Sequence, residues 1–213
     1  MRLNPDAPVY RAWAAAADLV LVNMLTLVAC APVVTAGASL VACTRSVMEM
    51  ARDEGGSVAR TWWRTFRSEL KASFVWWPPF PALGALGVWE RTVLSGSAAS
   101  PTFGDALTAL SAFGGLMLLA VLLWLLPLIA LFDAPATQHL RNAARLALGR
   151  LGTTALCLVL VVAPVVLAAL LPGAVGAVVW FLIILGIAFI AYLIALVQRR
   201  TIDELRRNAR AAV

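Results

Sequence analysis

The chain has 213 residues, 62% of them hydrophobic and only 13% charged, with a mean hydropathy of +0.89. Soluble domains are about 45–50% apolar and about 25% charged; too few polar side chains remain here to cover a water-facing surface, which excludes a soluble globular fold. The net charge of +6 comes from arginines set between apolar runs, and no continuous basic face is left to hold phosphates, so no nucleic-acid partner is expected.

A helix that crosses a bilayer needs about 20 mostly apolar residues. The first apolar block, from Ala12 to Cys43, is too long for one crossing and is broken near Pro32, predicting helices over 12–31 and 36–52. Arg45 and Glu49 make the second the weakest span. Leu27-Val28-Ala29-Cys30 and Leu40-Val41-Ala42-Cys43 look like lipoprotein cleavage boxes, but Asp18 and Asn23 interrupt the preceding run, and the segment is expected to stay as a helix. Asp18 and Asn23 are themselves the polar intramembrane candidates, open to two readings: interhelical pairing, or the lining of a transport path.

Over 57–71, Arg60, Arg64, Arg67 and Lys71 recur on one helical face, while Val58, Trp62, Phe66 and Leu70 cover the other and Trp63 sits at the border. This predicts an amphipathic helix on the cytoplasmic face. It would either lie in the membrane surface with arginines toward phosphates or pack on the bundle. A third span is expected over 72–89, kinked or broken at Pro78, Pro79 and Pro81. A Ser- and Gly-rich loop over 90–104 follows, then spans over 105–132, 151–171 and 174–197, and a polar tail of helical pattern.

Basic residues fall in the leader, in 44–71, in 133–150 and in the tail, while the connections between are nearly free of them. That alternation fits six spans with both termini cytoplasmic. The fold expected is thus all-α: one membrane domain, residues 1–213, of about six transmembrane helices plus the amphipathic helix, in a bacterial inner membrane.

Chemistry is sparse. No phosphate-binding glycine loop is present, and His139 is the lone histidine. Cys30, Cys43 and Cys157 lack metal-ligand spacing. No catalytic residues, metal site or cofactor are expected, and the chain is not read as an enzyme. At the first turn, Pro32 ends a helix, the Thr35 hydroxyl is expected to cap the next, and Gly37 permits a close helix approach.

Asn23, Leu25-Thr26-Leu27 and Pro32-Val33-Val34-Thr35-Ala36-Gly37-Ala38 resemble the first-turn stretch of the YesL-like family of bacterial membrane proteins. Phe66-Arg67-Ser68-Glu69-Leu70-Lys71, then Phe132-Asp133, Leu140–Ala147 and Thr153-Thr154, resemble that family's later segments. The family is largely of unknown function, with members often encoded beside sugar-uptake ABC transporters. The resemblance therefore implies an accessory role in carbohydrate import, with permease or ATPase subunits as partners. It supplies no catalytic or binding residues to carry over. An autonomous small-solute transporter or channel is the other reading, and a homo-oligomer is compatible with both.

Overall fold

The computed structural model describes residues 8–54, 56–95 and 101–211, and these are helical apart from short connections. In chain order they form α1 (Pro8–Cys30), a 3-10 turn (Val33–Thr35), α2 (Ala36–Ala51), α3 (Val58–Trp76), α4 (Pro79–Ser95), α5 (Pro101–Leu131), α6 (Ala136–Gly149) and α7 (Leu151–Leu170). A second 3-10 turn (Pro172–Ala174) leads into α8 (Val175–Phe181), a π-helical turn (Leu182–Gly186) and α9 (Ile187–Ala211).

Among the described residues, four stretches are long and apolar enough to cross a membrane: Ala12–Cys30, Gly104–Leu131, Leu151–Leu170 and Pro172–Asn208. The two remaining spans expected from the sequence are not among them. α2 has only 16 residues, about 24 Å at 1.5 Å per residue, against a hydrocarbon core of about 30 Å. The segment 72–89 is divided: residues 72–76 continue α3 without a break, and the helix restarts as the 17-residue α4 at Pro79. Proline at the first helical position loses no hydrogen bond, because that N–H is unpaired in any helix. Of the expected 90–104 loop, residues 90–95 belong to α4 and 101–104 to α5, while 96–100 lie outside the described residues.

The weakest predicted span is the best buried element. Ten of the 16 residues of α2 are buried, so protein rather than lipid surrounds its charges. Nε of Arg45 meets Glu49 Oε1 at 2.7 Å, and its Nη1 donates to the Ala130 carbonyl at 2.7 Å. That carbonyl lies in the last turn of α5, where the helix dipole favours a cation. Glu49 Oε2 accepts from Thr61 Oγ1 at 3.0 Å, so one network joins α5, α2 and α3.

α3 runs antiparallel to α2. Thr61 meets Glu49 at one end, and Trp77, just past the helix, donates from Nε1 to the Val33 carbonyl at 2.7 Å at the other. The close approach there needs glycine: a Cβ on Gly37 would lie 2.7 Å from Trp77 Cβ.

The polar end of α9 is tied back to the bundle by Arg52–Asp203 at 3.1 Å, Arg206–Glu54 at 3.3 Å and Arg150–Glu204 at 2.8 Å. These pairs gather the C-terminal ends of α2 and α9 and the start of α7 at one end of the molecule. The tail is helical, as its sequence pattern implied, and continuous with the preceding span.

Candidate functional site

Asn23 is fully buried in α1 and faces the π-helical turn. A π turn accommodates one extra residue, so the ordinary i to i−4 ladder is interrupted and backbone groups are left over. Asn23 Nδ2 donates to the carbonyls of Leu182 (3.2 Å) and Ile183 (2.6 Å), and the Ala188 amide donates to Asn23 Oδ1 at 3.0 Å. One primary amide thus satisfies both donor and acceptor groups of the disrupted backbone. Asn23 bridges α1 and the π-helical turn.

Asp18, five residues earlier, makes no hydrogen bond or ion pair with any described residue. It lines a cavity of about 230 Å³ together with Ser46, Glu49 and Thr61. Ser46 Oγ is buried there without a hydrogen-bond partner. Asp18 and Asn23 are not brought into one site: Asn23 belongs to the α1–α8–α9 contact, Asp18 to the α1–α2–α3 end.

The amphipathic pattern of 57–71 holds in α3. Trp62 is 1% exposed, with Nε1 donating to Thr26 Oγ1 at 3.2 Å, and it stacks on Phe66 with ring centroids 5.1 Å apart. Trp63 lies outside, half-exposed beneath the Arg67 guanidinium at 4.9 Å, a cation–π contact. Arg60, Arg64, Arg67 and Lys71 are exposed. The helix packs along α2.

At the turn, Pro32 follows the end of α1 and Gly37 lies against Trp77, while Thr35 does not cap α2. It stands at the N-cap position with no side-chain bond into that helix. Its hydroxyl lies 2.6 Å from the Ala29 carbonyl and 2.9 Å from that of Pro32, and so closes the end of α1 instead.

Three features escaped the sequence reading. α6 is an amphipathic helix burying His139, Ala143 and Ala147 at a spacing of four, a signal present within 133–150. Burial pushes the His139 imidazole below its usual range, against the opposing pull of Asp133 and of the Ala134 and Phe132 carbonyls. Gln198, on α9, is 1% exposed. Glu90, expected at the mouth of a loop, lies inside α4 and accepts from Ser111 Oγ at 2.7 Å through Oε2. Among the described residues no group of three His, Cys, Asp or Glu side chains is placed to hold a metal, and the three cysteines are free.

The four apolar stretches of crossing length among the described residues define a multi-pass α-helical membrane protein. Over residues 19–91, about a third of the chain, the sequence matches the model of a family described as protein of unknown function, DUF624. The matched stretch covers about half of α1, all of α2 and α3, and most of α4. No curated protein and no solved structure matches the chain.

Proposed function

We propose that the chain is a non-catalytic protein of the bacterial inner membrane that accompanies a carbohydrate-uptake ABC transporter, meeting its permease or ATPase chains through α3. The observation that carries this reading is the asymmetry of that helix. Its apolar side is anchored by Trp62 and Phe66, while Arg60, Arg64, Arg67 and Lys71 remain exposed on a rigid support. Preorganised cationic groups of this kind suit a partner with complementary acidic groups. The link to sugar import rests on the family resemblance of the sequence.

Both termini are assigned to the cytoplasm. The arginine-bearing segments around 52, 150 and 206 converge through their ion pairs at one end of the bundle, as the positive-inside rule requires. Six crossings, with α2 and the α3–α4 pair inserted, return the chain to the side where it began and keep Arg52 on the side of Arg150 and Arg206. Alkaline phosphatase fused at either end should be inactive; activity at one end only overturns the topology.

The test of the docking reading is purification in mild detergent from cells grown on the sugars whose importers they express. Permease or ATPase chains should co-purify, and R60E/R64E/R67E should release them while leaving the chain in the membrane. A lone chain that takes up sugar in liposomes would sink the accessory role. It would favour the second reading, an autonomous small-solute transporter, for which Asp18, without a partner among the described residues, and its cavity are the relevant observation. Asp18→Asn then abolishes uptake if that reading holds.

A further inference from the structure

α4 and α5 form a splayed antiparallel hairpin with a cleft of about 900 Å³ between them, lined also by Leu140 and Ala144 of α6. That volume lies in the range of about 300–1,000 Å³ typical of small-molecule sites. Its walls are chiefly apolar, and glycines leave them open: Cβ atoms added at Gly84, Gly87, Gly114 or Gly115 would meet nothing within 4 Å.

One acid enters this apolar space. Glu90 lines the cleft, bound to Ser111 through Oε2, while its Oε1 is buried with no hydrogen-bond partner. Ser111 is seven residues inside the apolar stretch that begins at Gly104, about 10 Å along the helix. The 28-residue stretch is about 42 Å long against a hydrocarbon core of about 30 Å, so Glu90 sits toward one edge of that core. An ionisable group there is costly and calls for a partner, yet no described cation reaches it.

We propose that the α4–α5 cleft binds a lipophilic ammonium ion, its nitrogen against Glu90 and its apolar body along the glycine-lined wall. A protonated amine supplies what the free oxygen lacks, a donor and a positive charge together. A lipid acyl chain would fill the apolar wall and leave Oε1 unmet, and a sugar would find too few polar groups. The site is independent of the transporter-accessory reading, since it uses neither α3 nor a second protein.

The experiment uses the full chain in phosphatidylcholine nanodiscs, titrated with an alkylammonium bearing a dansyl group at the far end of its chain. Trp89, 63% exposed on α4, is a nearby donor for energy transfer to the dansyl group. The transfer should saturate and be competed by dodecylammonium at least tenfold better than by dodecanol. Glu90→Gln should weaken binding on the order of tenfold or more, as expected when one member of a desolvated charge pair is removed. Glycine-to-leucine changes at 87 and 115 keep the acid but fill the cleft, and each should abolish the signal. Those two variants decide the matter should Glu90→Gln fail to fold. Equal affinity of wild type and Glu90→Gln overturns the proposal, as does equal competition by dodecanol, which would mark an uncharged acyl slot. Absence of saturable transfer, with a stable dimer that G115L separates, also overturns it by showing a second copy in the cleft.

Discussion

Gln198 of α9 donates from Nε2 to the carbonyl of Leu123 in α5, at 3.0 Å. That carbonyl is the one Pro127, four residues on, leaves without its helical donor. Both groups are buried, and in an apolar surrounding an orphaned carbonyl costs about 1–3 kcal/mol. The pair thus lets α5 carry a proline without losing a backbone bond. Gln198→Leu should destabilise the chain by about 1 kcal/mol, the loss being moderated because Gln198 Oε1 is itself buried and unpartnered. In a Pro127→Ala background, where the helix supplies its own donor, the same change should cost much less. A double-mutant cycle on SDS-driven unfolding checks this; strictly additive effects would refute the coupling.

Asn23 carries a heavier load, because three backbone groups of the π turn depend on it. Asn23→Leu should cost about 2–3 kcal/mol. Asn23→Asp should do little better, since a carboxylate can accept from the Ala188 amide but cannot donate to the carbonyls of Leu182 and Ile183. Hydrogen exchange at Ala188 gives a local readout. If that amide stays as protected in Asn23→Leu as in the wild type, the π turn does not need the side chain.

These two contacts mark the boundary of what a sequence can disclose here. The membrane character, the apolar runs and the cost of a buried Asn23 follow from composition, because lipid penalises polar groups wherever they sit. Its partner does not, since a π turn within Leu182-Ile183-Ile184-Leu185-Gly186 leaves no mark in residue type and lies about 160 residues away. α2 misled for the same reason: Arg45 and Glu49 look expensive until the Ala130 carbonyl and Thr61 come into view. The prolines after Trp77 announced a break, but its register depended on Pro79 opening a new helix. Glu90 was hidden by the Ser- and Gly-rich stretch beyond it, which reads as loop although α4 runs through Ser95.

His139 gives the fold a pH dependence. Its imidazole is buried and titrates below the ordinary value of 6.5, so the unfolded chain takes up the proton first as the medium is acidified. More protons on the unfolded state mean that stability rises with pH in that window. Stability should therefore fall as pH drops through 6.5 toward the folded-state value. Glu69 opposes this at lower pH: burial first, and Asp133 second, push its carboxyl above 4.5, so protonation there favours the folded state. Thermal unfolding in detergent between pH 7.5 and 5.5 should show the histidine slope, and His139→Gln should flatten it. An unchanged slope in that variant would place the titrating group elsewhere.

The network around Arg45 should behave asymmetrically. Arg45→Met removes the cation from Glu49, whose side chain is only 17% exposed, and strips the Ala130 carbonyl of its donor. A carboxylate left without its cation in such a place costs more than the pair contributed, so about 2 kcal/mol of destabilisation is expected. Adding Glu49→Leu removes the stranded charge and should recover part of that loss, even though it also sacrifices the Thr61 contact. The physical reason is desolvation: both charges are largely withdrawn from water in a helix surrounded by protein, and two apolar side chains avoid that cost altogether. Unfolding of the single and double variants in one detergent compares them directly. If Arg45→Met/Glu49→Leu is less stable than Arg45→Met alone, the ion pair is not what lets α2 sit at the centre of the bundle, and the Thr61 hydrogen bond must carry more of the α2–α3 contact than its 3.0 Å geometry suggests.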